Sequence, residues 1–309
     1  MRTSDLFERI TGRIIAAMEA GVGEYIMPWH RWGEATGMPI NAISSRPYRG
    51  INTLLLWAAA ELDGHSSGRW ATYRQWTAAG AQVRKGEKAT AIVFWKTATN
   101  EADEDNGNAE EGASRPKFIG RVYQVFNADQ VDGDKHANAV ASQSVAERIA
   151  AAEGFFAACA AKVEHGGDQA FYMPVQDRIQ MPRFEQFRDP ESYYSVLGHE
   201  HVHWTGADHR LARDLRNRFG TDAYAIEELI AELGSAFLAG HLGLAVEPRP
   251  DHAAYLANWL RVLRNDSRAV VTAAAKAQQA VDFLIDLAGC DQDVGAGVQG
   301  GSCERLIAA

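Results

Sequence analysis

Apolar residues recur at helical spacing near the start of the chain. Leu6, Ile10, Ile14 and Met18 fall on one face, behind Ser4 as a capping residue, and predict a helix over 4–19 closed by Gly21 and Gly23. Pro28, Gly33, Gly37 and Pro39 then break every period, so 28–43 reads as an irregular loop. A second helix is predicted over 50–63, around Leu54, Leu55, Leu56 and Trp57, and a short one over 72–79. The pattern changes at TAIVFWK (90–96) and FIGRVYQVF (118–126), whose β-branched and aromatic residues read as two paired strands. Polar residues over 128–142 suit a linker. A helix is predicted over 144–163, short strands over 171–174 and 177–182, and a helix opened by Asp189-Pro190-Glu191. The segment 224–238 is strongly helical, and 251–287 reads as two further amphipathic helices. No repeat recurs along the chain. The pattern implies an α+β fold, with a mixed domain over 1–130, a linker over 131–143, a mainly helical domain over 144–290 and a Gly-rich tail over 291–309.

Composition narrows the class. The chain has 309 residues, 46% hydrophobic and 23% charged, which is ordinary for a folded protein and long enough for two domains. Its three cysteines, Cys159, Cys290 and Cys303, form no CxxC pair, which argues against a disulfide scaffold and a cysteine zinc ribbon. No signal-peptide core and no membrane-length apolar run occurs, so a soluble, cytoplasmic protein with no membrane partner is expected. The net charge of −9 is uneven. Residues 1–98 carry 12 bases and 8 acids, whereas 99–114 carry six acids and no base, which reads as an exposed acidic hairpin loop.

Residues 199–203 read His-Glu-His-Val-His, the H-E-x-x-H pattern. On a helix, His199 and His203 share one face and can grip one metal ion, while Glu200 can act as general base toward a water. A catalytic zinc takes three protein ligands and keeps a position open for water, so a third ligand is expected downstream. Glu228 and Glu232 lie one turn apart within an apolar stripe on the 224–238 helix. Either can be the ligand while the other orients a histidine from behind, and Glu227 is expected to point away. Tyr224, or a residue near His209, is a candidate electrophile for a tetrahedral intermediate; Asp177 and Arg178 either line a cleft or form a turn.

The front third interleaves bases and aromatics, as single-stranded nucleic acid binding requires. The candidates are Tyr48, Arg49, Asn52, Trp70, Tyr73, Trp76, Arg84, Lys85 and Lys88, with Trp57 and Trp95 expected in the core.

Several ordered motifs carry a family resemblance. YRGIN (48–52), WATYRQW (70–76), GAQVRKGEK (80–88) and VFN (125–127) resemble the amino-terminal domain of ArdC-type antirestriction proteins, shared with TraC-type plasmid primases. The run from Tyr193 to Gly206 and EELIAE (227–232) resemble the zincin-type metallopeptidase domain of the same family. The resemblance implies a single-stranded-DNA-binding domain followed by a metallopeptidase-like domain. Such proteins travel on conjugative plasmids and other mobile elements and protect incoming DNA from host restriction. It also implies one divalent metal, zinc first and manganese as the alternative, and it favours Glu228 over Glu232 as ligand. An unidentified host or plasmid protein would be the peptidase substrate. His201 departs from the uncharged, often apolar residue usual there in zincins. Two other readings are a DNA-binding protein with a structural or inactive metal site and an acidic DNA mimic.

Overall fold

The computed structural model describes residues 3–20, 37–98, 117–134, 144–215, 221–244 and 252–295. The expected acidic loop, most of the 28–43 loop and the end of the tail lie outside them. Helix α1 (Thr3–Ala20) precedes strand β1 (Ile40–Asn41) and helix α2 (Ile51–Asp63). Strand β2 (Arg69–Ala71) leads into the short helix α3 (Tyr73–Ala78), where Thr72 and Gln75 form a reciprocal capping box. Strand β3 (Gln82–Val83) is followed by the long pair β4 (Thr90–Ala98) and β5 (Lys117–Asn127), antiparallel from Thr90↔Val125 to Ala98↔Lys117. The strands β1-β2-β5-β4 form one sheet in that order.

The expected linker begins with structure. A 3-10 turn capped by Asn127 runs into β6 (Val131–Asp132), which pairs antiparallel with β3. Helix α4 (Val145–Ala158) has a Ser144–Glu147 capping box. It stops short of the expected residue 163 because Ala160 takes φ 55° and turns the chain into strand β7 (Lys162–His165). Strands β8 (Phe171–Met173) and β9 (Arg178–Met181) complete a three-stranded sheet in the order β7-β9-β8. Helices α5 (Pro190–Thr205), α6 (Asp222–Leu242), α7 (His252–Asn265) and α8 (Ala269–Gly295) follow. No helix among the described residues is long and apolar enough to cross a membrane.

One large core joins the front of the chain to its rear. Ile10, Ile14 and Met18 of α1 and Leu54, Leu55 and Trp57 of α2 are buried in the same cluster as Leu229, Leu233, Phe237 and Trp259. The Trp57 ring lies 6.0 Å from Phe237 and seats against Gly240, where a Cβ would come within 3.3 Å of it. Thr11 donates to the Ser267 carbonyl at 2.6 Å, tying α1 to the α7–α8 turn. The first two helices therefore cover the helical part instead of belonging only to the front sheet. Two smaller cores serve the front strands, one around Leu56, Trp70, Ile92 and Val125, the other around Ala71, Trp76, Val83 and Val131.

Candidate metal centre

Helix α5 starts where Asp189 accepts from the Ser192 amide at 2.7 Å and Pro190 supplies a helical φ without wasting an amide donor. Most of its length is buried because α6, α8 and the β8–β9 hairpin pack around it. Gly234 sets the approach of α6: a Cβ there would stand 2.7 Å from Val202 Cγ2. Only a glycine lets the backbones come close enough for carboxylates on α6 to reach imidazoles on α5.

At that crossing, ligand atoms of His199, His203 and Glu228 all lie within 4.8 Å of one another. The two Nε2 atoms are 3.1 Å apart, and each is 3.6 Å from a Glu228 carboxylate oxygen. Atoms bound about 2.1 Å from a tetrahedral zinc stand roughly 3.4 Å apart, and these separations bracket that spacing. Two imidazoles and one carboxylate are also the donor chemistry of a catalytic divalent site. The residues fit such an ion. Burial raises the Glu228 carboxyl, but the His199 hydrogen bond, the charges of His203 and His199 and the Tyr224 hydroxyl outweigh it and hold it at about 2. Glu228 thus stays an anion. Glu200, one residue past His199, is buried on the same helix.

Behind the ligands stand two more carboxylates. Glu232 places Oε2 3.4 Å from Nδ1 of His199. Glu227, expected to point away, faces inward instead, with Oε1 3.2 Å from Nδ1 of His203. Arg213 draws it there. Its Nε lies 3.0 Å from Glu227 Oε2 and its Nη2 2.9 Å from Oε1. The same guanidinium donates to the Val202 carbonyl at 2.6 Å and to Thr205 Oγ1 at 2.9 Å, which anchors it on the end of α5. Burial raises the Glu227 carboxyl, yet the hydrogen bonds and charges of His203 and Arg213 bring it below its ordinary value. An ionised Glu227 accepts the His203 Nδ1 proton and leaves Nε2 with its lone pair toward the site. Arg213 lies in the loop between α5 and α6, and no spacing rule in the sequence points to it.

His201 faces the opposite side. Its ring is buried 4.7 Å from Phe156, with Nδ1 2.8 Å from the Leu197 carbonyl. Burial pushes it down to about 4, so it is neutral core and not a ligand. Asp177 takes φ 45° in the β8–β9 turn and binds Arg210, which stacks 3.9 Å over the Trp204 ring and bonds Tyr172 at 3.1 Å. That is a structural clamp. His209 is exposed beside it, 3.3 Å from Asp177. Arg178 pairs with Glu164.

The front candidates divide by burial. Trp70 and Trp76 are 1% and 0% exposed, and Trp76 Nε1 donates to the Phe126 carbonyl at 3.1 Å, so neither ring is open to a base. Both face inward because β2 and the apolar side of α3 cover the small front cores. Tyr48 is half-buried, its hydroxyl 3.3 Å from the Trp70 carbonyl. Asn52 braces β4, exchanging hydrogen bonds of 2.7 and 2.9 Å with the Val93 backbone. Arg49 pairs with Asp282 on α8. Tyr73, Arg84, Lys85 and Lys88 are exposed. The sequence reading overlooked Phe94 and Tyr123, which form an exposed edge-to-face pair at 6.3 Å on the β4–β5 ribbon. Strand alternation puts both on one face of the ribbon, with Phe94 opposite Arg121 and Tyr123 opposite Ile92.

Residues 4–126 match the N-terminal domain of anti-restriction factor ArdC, and residues 150–276 match the zincin-like metallopeptidase family MPTase-PolyVal. The uncharacterized protein y4eC of Sinorhizobium fredii is 50% identical over 282 residues, 91% of this chain and 92% of that protein. A DNA primase TraC of Escherichia coli is 37% identical over 90% of this chain, which spans only 27% of that longer protein. Crystal structures of the antirestriction protein ArdC from plasmid R388 superpose with 38% identity and a TM-score of 0.76 in metal-free form, covering 93% of this chain and 98% of that one. The Mn(II)-bound form gives 37% and 0.73, covering 92% and 98%.

Proposed function

The chain belongs to the ArdC family of antirestriction proteins, and from that premise we propose that it binds single-stranded DNA through its front part and works as a metal-dependent peptidase through the rear. The observation that carries the peptidase reading is the convergence of His199, His203 and Glu228 within 4.8 Å beside Glu200. A divalent ion held by those three side chains would supply Lewis acidity toward a carbonyl and a water. Zinc and manganese both suit two imidazoles and a carboxylate, and the R388 relative binds Mn(II).

The chain's own residues have separate tasks. Glu227 accepts from Nδ1 of His203 and the Glu232 carboxylate stands 3.4 Å from Nδ1 of His199, so both Nε2 atoms would face a bound ion. Glu200 takes the proton of the attacking water and returns it to the leaving amine. Tyr224, whose hydroxyl bonds Glu228, holds that carboxylate from the first turn of α6.

DNA binding is supported by the surplus of bases over 1–98 and by the exposure of Arg84, Lys85 and Lys88. Protection of entering DNA, with a host or plasmid protein as the cleaved partner, follows the family premise. The test is a Glu200→Gln protein, assayed for bound metal, cleavage of cellular proteins by proteomics, and protection of conjugated DNA. Metal retained with cleavage and protection lost supports the peptidase; protection undiminished leaves DNA binding alone as the protective activity.

A further inference from the structure

The β3–β6 ribbon has one face in the core and one in solvent. Gln82 pairs with Asp132 and Val83 with Val131. Strand alternation sends the two valines into the small core with Ala71 and Trp76 and leaves Gln82 and Asp132 side by side outside. There they border an open cleft of about 710 Å3 with Tyr73, Arg84, Lys85 and Phe126.

Tyr73 is 48% exposed, yet it is held in place. Its ring meets Phe126 at 69° and 6.4 Å, and its hydroxyl accepts from Gln82 Nε2 at 3.0 Å. A surface ring pinned at its edge and its hydroxyl loses little freedom when another aromatic plane settles on it. The rim has two characters. On one side Arg84 is steadied by Glu87 at 2.9 Å, and Lys85 is exposed where Gly86, at φ 93°, turns the chain. Next to it are acceptors: the Asp132 carboxylate, 71% exposed with Oδ1 3.7 Å from Nη1 of Arg84, and the side-chain carbonyl of Gln82, whose amide nitrogen donates to the Tyr73 hydroxyl and the Val83 carbonyl.

Resting on the single-stranded DNA reading above, we propose that this cleft seats one unstacked nucleobase on Tyr73 with its phosphate toward Lys85, and that it favours cytosine over thymine. Stacking supplies affinity without regard to sequence. The choice comes from the rim: cytosine offers its N4 amino group to the Asp132 and Gln82 acceptors, whereas thymine presents O4 at that position and meets oxygen with oxygen.

Fluorescence anisotropy with labelled oligo-dC and oligo-dT of about 12 nucleotides tests this on the full chain. Wild type should prefer oligo-dC. Tyr73→Ala should weaken oligo-dC binding about tenfold, the scale of one lost stack, while Tyr73→Phe keeps most of it. Asp132→Asn should bring the two strands level, and thermal melting checks that each variant is folded. Equal affinity of wild type for both strands, or oligo-dC binding unchanged in folded Tyr73→Ala, overturns the proposal while leaving DNA binding in place. Wild type that binds neither strand at low salt overturns both readings.

Discussion

Arg213 lies outside the candidate metal cluster, yet the geometry predicts that metal affinity depends on it. The perturbation is Arg213→Met, which keeps much of the side chain's length and removes the guanidinium. Two contacts of 3.0 and 2.9 Å to Glu227 disappear, along with those to Val202 and Thr205. Both partners are buried, so the change strands a carboxylate in the interior. Breaking a buried pair from one side costs about 3–5 kcal/mol of stability. Glu227 can lessen that cost by taking up a proton, and then it no longer accepts from Nδ1 of His203. Loss of such a buttress weakens metal binding by about 10–100-fold, or roughly 1.4–2.7 kcal/mol. The assay is competition for Mn(II) or Zn(II) against a fluorescent chelator, beside chemical denaturation of the metal-free protein. Arg213→Lys, a point charge without the planar fork, should fall between the two. The double variant Arg213→Met/Glu227→Leu removes the stranded charge and should recover stability while metal affinity stays low. Metal binding within twofold of wild type in a folded Arg213→Met protein would refute the reasoning, because Glu227 would then be orienting nothing.

Other consequences are direct. Glu228→Gln keeps the shape of α6 but loses the anionic ligand, and metal affinity measured by the same competition should drop by at least tenfold, as for loss of a buried charge-assisted contact of about 1.5–3 kcal/mol. Gly234→Ala drives a Cβ to 2.7 Å from Val202; a loss of about 1–3 kcal/mol is expected in denaturation, with partial recovery on adding Val202→Ala. His201 is neutral in the fold, its pKa lowered by burial to about 4 from the ordinary 6.5. Its contribution is therefore complete above pH 6.5 and declines as pH falls toward 4, by up to about 3 kcal/mol. The stability advantage of wild type over His201→Leu should shrink across that window, and a constant difference would show that the ring is already solvated.

Local signals locate every long element of the rear part and the β4–β5 pair, through caps and helical spacing for the helices and β-branched and aromatic runs for the strands. The H-E-x-x-H spacing likewise puts His199 and His203 on one face of a helix, since four residues make about one turn. Local sequence has less to say where two elements meet. Helical position alone sets Glu227 apart and leaves Glu228 and Glu232 equivalent; the Gly234–Val202 crossing and the reach of Arg213 decide which carboxylate meets both Nε2 atoms and which stand near the Nδ1 atoms. The same holds for the tryptophans, where an aromatic beside a base looks the same whether it covers a core or meets a ligand. Packing of β2 and α3 buried Trp70 and Trp76 and left Tyr73 outside. Helices α1 and α2, read from the chain as part of the front, pack on each other and on α8, with α1 also on α7 and Trp57 of α2 reaching Phe237 of α6, so their buried faces belong to the rear core. Periodicity is local and so legible in one dimension, but the choice of neighbour depends on shape and charge brought together from far along the chain.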